Sequence, residues 1–309
     1  MPELPEVTTI VTELIDAGIV GGRITGGTVL WKRSIGDESE RDFLTRVTGR
    51  TILETRRRGK NVLIHLSPRD SSEISRCDGV PRGVDDGRHT GTDADPATIS
   101  VHPRMSGRLY LCSAATVRTG YERVILTLAG GRELRFYDPR KFGRFLVSID
   151  PDEHVRHLGV EPLATDFTPE VLHEILRHRQ RRIKPLLMDQ HLIAGLGNIY
   201  TDEALWTARI HPERRSTSID MEETVRLRDA IVHVLQQGIA NGGTSLGTGK
   251  SNFLLPASTG GIVPNNQGCL SVFQRTGSPC PRCGTVIMRI VVAQRATHFC
   301  PRCQVPPIV

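Results

Sequence analysis

The sequence predicts an α+β fold with two domains and a short ribbon near the C-terminal end. Three observations lead to this prediction. Residues 1–150 contain short apolar runs separated by glycine-bearing turns, which is typical of a β-sandwich. Residues 168–240 place their apolar side chains at helical spacing. Two Cys-Pro-Arg-Cys sequences then follow, and a total of 309 residues is enough for two domains that each have a core.

Composition restricts the kinds of protein to consider. Hydrophobic residues make up 38% and charged residues 24% of the chain, as in soluble globular proteins. There is no long apolar run to predict a membrane span, and the acidic start differs from a signal peptide, so we expect a cytoplasmic protein. The net charge is +6, with basic patches at residues 56–60 and 177–184. Such patches favour a polyanionic partner, although a solvated basic surface fits the charge equally well.

The first domain is expected to begin with a helix. Apolar residues from Val7 to Leu14 recur at helical spacing, and Gly18 ends the pattern. Residues 1–150 predict a β-sandwich or flattened barrel that carries this one N-terminal helix. Within this domain, residues 68–96 are rich in Ser, Asp, Gly and Arg, and we expect a mobile acidic insertion there. The predicted strands are 23–31, 51–57, 61–66, 108–112, 123–128, 133–137 and 144–148.

A linker at 151–167 leads to a second, helical domain at 168–268. Thr168-Pro169-Glu170 combines an N-cap, a proline in the first turn and an acidic residue, which marks the start of a helix. A long loop follows the helices at 241–268, and residues 269–309 form the ribbon. Helices are expected at about 169–179, 184–189, 198–207 and 220–240, the last opened by a capping box from Asp220 to Glu223.

The first residues of the chain can support amine chemistry. If Met1 is removed, Pro2 becomes the N-terminus and carries a nucleophilic secondary amine, which titrates at about 7.7–8.0. Glu3 and Glu6 place carboxylates near it, and an amine beside a carboxylic acid is what imine formation at a carbonyl-like carbon requires. Taken alone, however, these residues favour an ordinary acidic helix start.

Four of the seven cysteines form two close pairs, Cys280 with Cys283 and Cys300 with Cys303. This spacing places four thiolates at the corners of a tetrahedron and predicts one zinc ion in a ribbon with strands at 285–292 and 297–299. Because the protein fills all four positions, the zinc is expected to be structural rather than catalytic. Arg289 and Arg295 lie between the pairs, where they could contact phosphate.

Three turns have compositions that suit contact with nucleic acid. In Gly195-Leu196-Gly197-Asn198, small residues at a helix start would let backbone N–H groups and the Asn198 amide bind an anion. Residues 102–108 and 138–144 each place a large apolar residue, Met105 or Phe142, beside arginines, as suits a wedge that enters a base stack. Each turn alone could instead be a tightly packed connection or a buried loop anchor.

Together, these motifs resemble those of the bacterial formamidopyrimidine-DNA glycosylase family, a relative of endonuclease VIII. They stand in one order along nearly the whole chain, and a joint match is more specific than any one motif. The Leu4-Pro5-Glu6-Val7 continuation is similar to the formamidopyrimidine branch rather than the endonuclease VIII branch. The matching segments are Pro2-Glu3, Arg58-Gly59-Lys60, Met105-Ser106-Gly107, 138–143, 195–200, and the zinc ribbon with Gln294-Arg295-Ala296-Thr297.

The resemblance implies an enzyme that removes oxidised purines, such as 8-oxoguanine and formamidopyrimidines, from double-stranded DNA and then cuts the strand by β- and δ-elimination. It implies that the Pro2 amine forms a Schiff base at C1′ of the damaged nucleotide, with acid–base roles for Glu3 and Lys60. Glu6 is expected to help shape the site. The resemblance also implies a helix–two-turn–helix arrangement in the second domain and a monomer bound to the DNA of the bacterial cytoplasm.

The resemblance further assigns contacts to DNA. Met105, Arg140 and Phe142 match the residues that fill the space left by an extruded base. Residues 102–104, the acidic insertion before them and the loop 244–268 depart from the family pattern. The first leaves the backbone at the Met105 turn open, and the loop leaves lesion preference open. Two alternatives remain: a preference for oxidised pyrimidines, as in endonuclease VIII, and a damaged-DNA-binding protein without catalysis. The expected phosphate contacts are Lys60, His102, Asn198 and Arg295, and Lys184 is a further expected DNA-binding residue.

Overall fold

The computed structural model describes residues 2–69, 95–244 and 265–306. They form two compact units, one with Pro2 and the described residues of 7–156 and the other with Glu3–Glu6 and residues 157–244 and 265–306. The predicted α+β class with a sandwich, a helical part and a ribbon is confirmed. Most of the predicted insertion 68–96 and of the predicted loop 241–268 lies outside the described residues.

The first unit contains a sandwich of two antiparallel sheets. Its strands are β1 Ile24–Val29, β2 Ile52–Arg58, β3 Asn61–Leu66, β4 Ala97–His102, β5 Arg108–Ser113, β6 Glu122–Leu128, β7 Arg132–Tyr137 and β8 Arg144–Ser148. One sheet has the order β1-β6-β7-β5, and the other has the order β2-β3-β4-β8. Side chains from both sheets, such as Leu134 and Val101, belong to one buried apolar cluster. Each such side chain contributes about 1.5–3 kcal/mol when it is fully buried.

Among the described residues of this unit, two α-helices accompany the sandwich, where the sequence predicted one. Helix α1, Leu4–Asp16, has the predicted position, and its residues Val7, Ile10 and Leu14 join the apolar cluster. Helix α2, Glu40–Val47, begins at Ser39, whose side chain accepts a hydrogen bond from the Asp42 amide at 3.1 Å. It was not predicted because it is short and rich in charged residues, and burial of Phe43 and Val47 stabilises it.

Strand β4 was also missed by the sequence analysis. It lies between β3 and β8 and hydrogen-bonds to both, so every one of its residues from Ala97 to Val101 is buried. In the sequence this strand is a short apolar run between Pro96 and Pro103, next to a polar stretch that reads as a loop. Its strand conformation therefore depends on pairing with two neighbours that are distant in the chain.

The second unit holds the four predicted helices, with ends that differ from the prediction by a few residues. The capping box at Asp220 is present, because its side chain accepts the Glu223 amide at 2.8 Å and the Glu223 side chain accepts the Asp220 amide at 3.3 Å. Thr168 caps the first helix, as predicted, because its hydroxyl accepts the Val171 amide at 3.3 Å. The helices share a second apolar cluster, which also includes Leu4. The helices are α3 Pro169–Arg177, α4 Ile183–Leu187, α5 Asn198–Thr207 and α6 Met221–Ala240.

The ribbon consists of strands β9, Met288–Val292, and β10, Arg295–Phe299, which pair in antiparallel register. Ala293 and Gln294 make the turn between them with φ angles of 47° and 62°.

Within the described residues, no helix is both long and apolar enough to cross a membrane.

Candidate active site and nucleic-acid interface

Pro2 and Lys60 both belong to the first unit. Pro2 is buried and stands two residues before helix α1 begins. Lys60 lies in the turn between β2 and β3, where Gly59 adopts a φ of 57° and its carbonyl accepts a hydrogen bond from Arg57 at 3.0 Å. The Lys60 side chain is buried as well. Burial of a lysine in a turn, where exposure is the rule, is expected when its ammonium group has a specific task.

The Glu3 carboxylate is bound by the start of helix α5. Its two oxygens accept the backbone N–H of Ile199 at 2.9 Å and of Tyr200 at 3.3 Å. These N–H groups have no partner inside the helix, and the helix dipole favours a negative charge at this position. At Gly197 an added Cβ would lie 2.3 Å from Cδ of Glu3, so glycine is required for this close approach.

This contact corrects one sequence-based interpretation. The turn 195–198 was expected to present backbone N–H groups to an external anion, and the structure shows that the anion is the chain's own Glu3. The side chain of Asn198 is also used internally, because its Nδ2 donates to the Ala296 carbonyl at 3.0 Å. The physical reason for an anion site was right, but the sequence could not show which anion fills it.

Glu6 connects the Glu3 backbone to helix α5 and to residue 244. Its Oε2 accepts the Glu3 amide at 2.8 Å, and its Oε1 accepts the Tyr200 hydroxyl at 2.9 Å and the Thr244 amide at 2.7 Å. Burial, and then the Glu6 charge, raise the pKa of Tyr200 well above its usual value, so this hydroxyl stays a donor. Asn266 donates to the Tyr200 hydroxyl at 3.4 Å and to the Thr244 hydroxyl at 3.2 Å.

The sequence analysis missed Tyr200, Thr244 and Asn266 as members of this network. Tyr200 lies inside a recognised motif, but nothing in the motif shows that its hydroxyl contacts Glu6, which is 194 positions away in the chain. Thr244 and Asn266 flank the long loop and have no local pattern that marks them. Such contacts depend on the tertiary fold, because side chains with ordinary hydrogen-bonding groups occur everywhere in loops.

Lys184 does not have the location that its predicted role requires. Its ammonium group donates to the Asp202 carboxylate at 2.7 Å, the Thr297 hydroxyl at 2.8 Å and the Ala296 carbonyl at 3.0 Å. All three donors of an ammonium are thereby used, and the side chain is only 1% exposed. Burial lowers the pKa of Lys184, and the Asp202 charge opposes that effect. The expectation that Lys184 binds DNA is therefore corrected to an internal ion pair.

Lys184, Asn198 and Arg295 nevertheless lie close together around the ribbon turn. Lys184 and Asn198 both donate to the carbonyl of Ala296, the residue that follows Arg295. Asp202 accepts the His298 amide at 2.9 Å and so fixes the same strand, β10. Arg295 itself is exposed at the start of that strand. The network thus holds an exposed arginine in a defined position.

The two predicted wedge turns lie at one end of the sandwich. The β4–β5 turn carries Met105, and the β7–β8 turn carries Arg140 and Phe142. In one sheet His102, at the end of β4, pairs with Arg144, at the start of β8. In the other sheet Arg108, at the start of β5, pairs with Tyr137, at the end of β7. The two strand ends that one turn joins are therefore paired with the two that the other turn joins, so both turns leave the sheets at the same end. Met105 is 39% and Phe142 is 50% exposed, and the Arg140 guanidinium lies 5.2 Å from the centre of the Phe142 ring. Exposed large apolar side chains beside a cation are suited to contact with unstacked bases.

The four cysteines of the ribbon form a metal centre. Their Sγ atoms all lie within 4.8 Å of one another, and Cys283 is 3.5 Å from both Cys300 and Cys303. These separations fit four thiolates around one zinc ion at about 2.3 Å and are far longer than a disulfide bond. The Trp206 indole N–H donates to the Cys280 sulfur at 3.4 Å, which adds a hydrogen bond from outside the ligand set.

Comparison with protein families agrees with this arrangement. A model of the formamidopyrimidine-DNA glycosylase N-terminal domain matches residues 1–145, and a model of the H2TH domain of the same glycosylase matches residues 158–250. The chain belongs to the formamidopyrimidine-DNA glycosylase family. A third model, described as a zinc finger found in FPG and IleRS, matches residues 277–305. The family resemblance and the zinc ribbon inferred from the sequence are therefore confirmed.

Relatives within the family cover the whole chain. The formamidopyrimidine-DNA glycosylase of Protochlamydia amoebophila is 37% identical over 98% of this chain and 99% of the relative. The one from Pelotomaculum thermopropionicum is 40% identical over 98% of this chain and 99% of the relative. A solved complex of a Lactococcus lactis FPG point mutant with DNA containing Fapy-dG is 33% identical, with a TM-score of 0.80, and covers 99% of this chain and 100% of that one.

Proposed function

We propose that this chain excises oxidised purines from double-stranded DNA and cuts the strand at the resulting abasic site, through a Schiff base on the amine of Pro2. Membership of the glycosylase family supports the activity. The observation that carries the mechanism is the Glu3 carboxylate, held by two backbone N–H groups at a helix start and adjacent in sequence to Pro2. A fixed carboxylate beside an N-terminal amine is the pair that imine chemistry needs.

The chemical steps follow from these two groups. After removal of Met1, the Pro2 nitrogen attacks C1′ of the damaged nucleotide, and the bond from C1′ to the base breaks. The attacking nitrogen loses its proton to the Glu3 carboxylate, and we assign to Glu3 the delivery of that proton to O4′ as the sugar ring opens and the iminium forms. The resulting iminium makes the C2′ proton acidic, so a base can remove it and the 3′ phosphate leaves by β-elimination. A second elimination releases the 5′ phosphate.

Other residues are assigned to positioning. Glu6 fixes the Glu3 backbone through its 2.8 Å hydrogen bond. Lys60 is buried in its turn, and we propose that its ammonium group supports the phosphates and the acid–base steps. No such role is retained for Lys184, whose donors are already used. Zinc, when bound by the four cysteines, stabilises the ribbon and takes no part in the reaction.

The DNA contacts are assigned to residues of both units. Met105, Arg140 and Phe142 fill the space left when the damaged base is extruded, and their contacts offset an unstacking cost of a few kcal/mol. His102 and Arg295 contact phosphates, and Asn198 does so through the second hydrogen of its Nδ2, since the first donates to the Ala296 carbonyl. We further propose that the enzyme acts as a monomer at the DNA of a bacterial cytoplasm, because the named relatives are bacterial.

Borohydride trapping tests the proposal. The mature protein is mixed with a duplex that contains 8-oxoguanine opposite cytosine, and borohydride reduces any imine to a stable covalent adduct. We expect an adduct with the wild type and a weaker one with Pro2→Gly, which retains a primary amine. A variant with one extra residue before Pro2 should give none, since its proline nitrogen is an amide. Binding of the duplex without any wild-type adduct would show that the protein is a damage-binding protein and not a lyase.

A preference for oxidised pyrimidines is the second candidate. One neighbouring structure is a complex of wild-type Lactococcus lactis Fpg with DNA that contains an oxidised pyrimidine, at 32% identity and a TM-score of 0.79. Another is MutM with DNA containing carbocyclic 8-oxo-G, at 30% identity and a TM-score of 0.79. Single-turnover excision rates on duplexes with 8-oxoguanine and with an oxidised pyrimidine decide between the two. We expect the purine to be the faster substrate.

A further inference from the structure

The carboxylate of Asp138 is fully buried at the base of the β7–β8 turn. Its Oδ2 accepts the Gly143 amide at 2.7 Å, and its Oδ1 accepts the Arg140 amide at 3.2 Å. These two bonds close the turn that carries Arg140 and Phe142. A buried carboxylate is expensive unless hydrogen bonds compensate it, so their geometry is strongly determined.

A third hydrogen bond joins Asp138 to the other wedge turn. Ser106 follows Met105 in the chain, and its hydroxyl donates to Asp138 Oδ1 at 2.6 Å. This distance is typical of a hydroxyl bound to a charged acceptor, which is about twice as strong as a neutral pair. One carboxylate therefore connects two turns that are 32 positions apart in the chain.

The surroundings leave the two turns little freedom to move separately. Arg104 and Lys141 are held in left-handed backbone conformations, with φ of 55° and 61°. An added Cβ at Gly107 would lie 2.5 Å from the Pro103 carbonyl oxygen, and one at Gly143 would lie 2.3 Å from the Phe136 ring. Strained backbone and close packing persist where the surrounding structure holds them firmly.

We propose that Asp138 and Ser106 are positioning residues that hold the two turns as one rigid wedge, so that Met105 enters the base stack together with Arg140 and Phe142. The proposal rests on the proposed function for the assignment of these three side chains to DNA. Its physical reason is that a preorganised wedge avoids the ordering cost of two independent loops at the moment of base extrusion.

The decisive variant is Ser106→Ala, because it removes the link and leaves the two hydrogen bonds that Asp138 makes within its own turn. Ser106→Thr keeps the hydroxyl and serves as the rescue variant. Ser113→Ala is the matched control, since Ser113 is an exposed serine at the opposite end of strand β5 whose hydroxyl accepts the Ala115 amide at 3.2 Å. Melting temperatures of all variants establish that they are folded.

Two substrates distinguish a loss of wedge function from a general loss of enzyme activity. We expect Ser106→Ala to excise 8-oxoguanine about tenfold more slowly than the wild type, the loss expected for one hydrogen bond to a charged group. Borohydride trapping on a duplex with a preformed abasic site should change less than about twofold, because no base has to be extruded there. Ser106→Thr and Ser113→Ala should match the wild type on both substrates. Equal loss on both substrates, or none on either, overturns the proposal.

A fluorescence measurement makes the result independent of cleavage. 2-Aminopurine next to the lesion becomes brighter when a wedge unstacks it. We expect a smaller increase with Ser106→Ala, and we expect the losses caused by Ser106→Ala and Phe142→Ala to be less than multiplicative in the double variant. Multiplicative losses and an unchanged increase would show that the turns act separately. A wild type that unstacks 2-aminopurine but forms no imine refutes the proposed function, whereas a smaller increase with Ser106→Ala still supports this inference.

If Ser106→Ala proves too unstable to purify, Asp138→Asn is the second variant. It keeps the shape of the side chain but removes the charge and one acceptor, so the same difference between the two substrates is expected. A variant with a wild-type melting temperature and a wild-type rate on 8-oxoguanine would overturn the role of the carboxylate.

Discussion

Replacing Lys184 by methionine should destabilise the protein strongly without removing a DNA contact. The methionine fills a similar volume but leaves the Asp202 carboxylate, which is 0% exposed, without its ammonium partner. Thr297 and the Ala296 carbonyl lose a hydrogen-bond donor in the same change. The perturbation therefore leaves a buried carboxylate without its ammonium partner rather than a simple cavity, although the His298 amide and ring still contact it at 2.9 and 3.1 Å.

The size of the effect follows from this burial. Removing one partner of a buried ion pair typically costs about 3–5 kcal/mol, a large part of a total unfolding free energy of about 5–15 kcal/mol. A second expectation concerns the double variant. Asp202→Asn removes the buried negative charge that Lys184→Met leaves without its ammonium partner. Lys184→Met combined with Asp202→Asn should therefore be less destabilised than Lys184→Met alone.

Chemical denaturation measures these free energies. Lys32→Met is the matched control, because Lys32 is exposed in a short helical turn and its loss should stay within about 0.5 kcal/mol of the wild type. DNA affinity is then measured against salt concentration at a temperature where every variant is folded. Lys184→Met should keep the wild-type slope, whereas Arg295→Gln should reduce it by about 0.9, the contribution of one phosphate contact.

Two results would refute this reasoning. A Lys184→Met protein as stable as the Lys32→Met control would show that Asp202 does not need its partner. A salt slope reduced by about 0.9 in Lys184→Met would restore the DNA contact that the sequence suggested.

Three further predictions concern the reaction, the zinc ribbon and the sandwich. Glu3→Gln should bind the lesion duplex but lose base excision in single-turnover assays, because the amide cannot transfer the proton; equal rates would remove the role given to this carboxylate. Chelation of zinc should weaken DNA binding and change the fluorescence of Trp206, which donates to Cys280; unchanged affinity after verified zinc loss would contradict a DNA-binding role for the ribbon. Burial opposes ionisation of Glu122, but hydrogen bonds from Thr119 and Gly120 outweigh it and lower the Glu122 pKa. The ionised Glu122 therefore stabilises the fold above a pH of about 4.5, and this contribution is lost at lower pH. The melting temperature of Glu122→Gln should then fall less steeply between pH values of about 5 and 3 than that of the wild type. Parallel melting curves for the two proteins would argue against this role of Glu122.

Local sequence signals predicted most elements of the fold. The capping box at Asp220 and the cap at Thr168 determine helix starts through contacts within four residues, and both are present. The four cysteines were identified as metal ligands from their spacing alone, and their sulfur atoms lie together. Strand β4 and helix α2 were missed, because their stability comes from partners that are remote in the chain.

The assignment of charged residues shows a sharper division. Lys184 and Glu3 both look like surface residues when the sequence is read locally, one in a basic stretch and the other at an acidic helix start. The structure places Lys184 in a buried ion pair and binds Glu3 to a helix 196 positions away. A charged side chain can be solvated or paired, and local spacing carries no information about which partner the fold supplies.

The sequence by itself therefore determined the residue types needed for amine chemistry, the zinc ligands and the order of most elements. Tertiary structure decided that the anion at the start of helix α5 is Glu3, that Lys184 is used internally, and that Asp138 joins the Met105 turn to the Phe142 turn. The physical reason is the range of the interactions. Caps, turns and knuckles form within a few residues, whereas buried charges take partners that only the folded chain brings close.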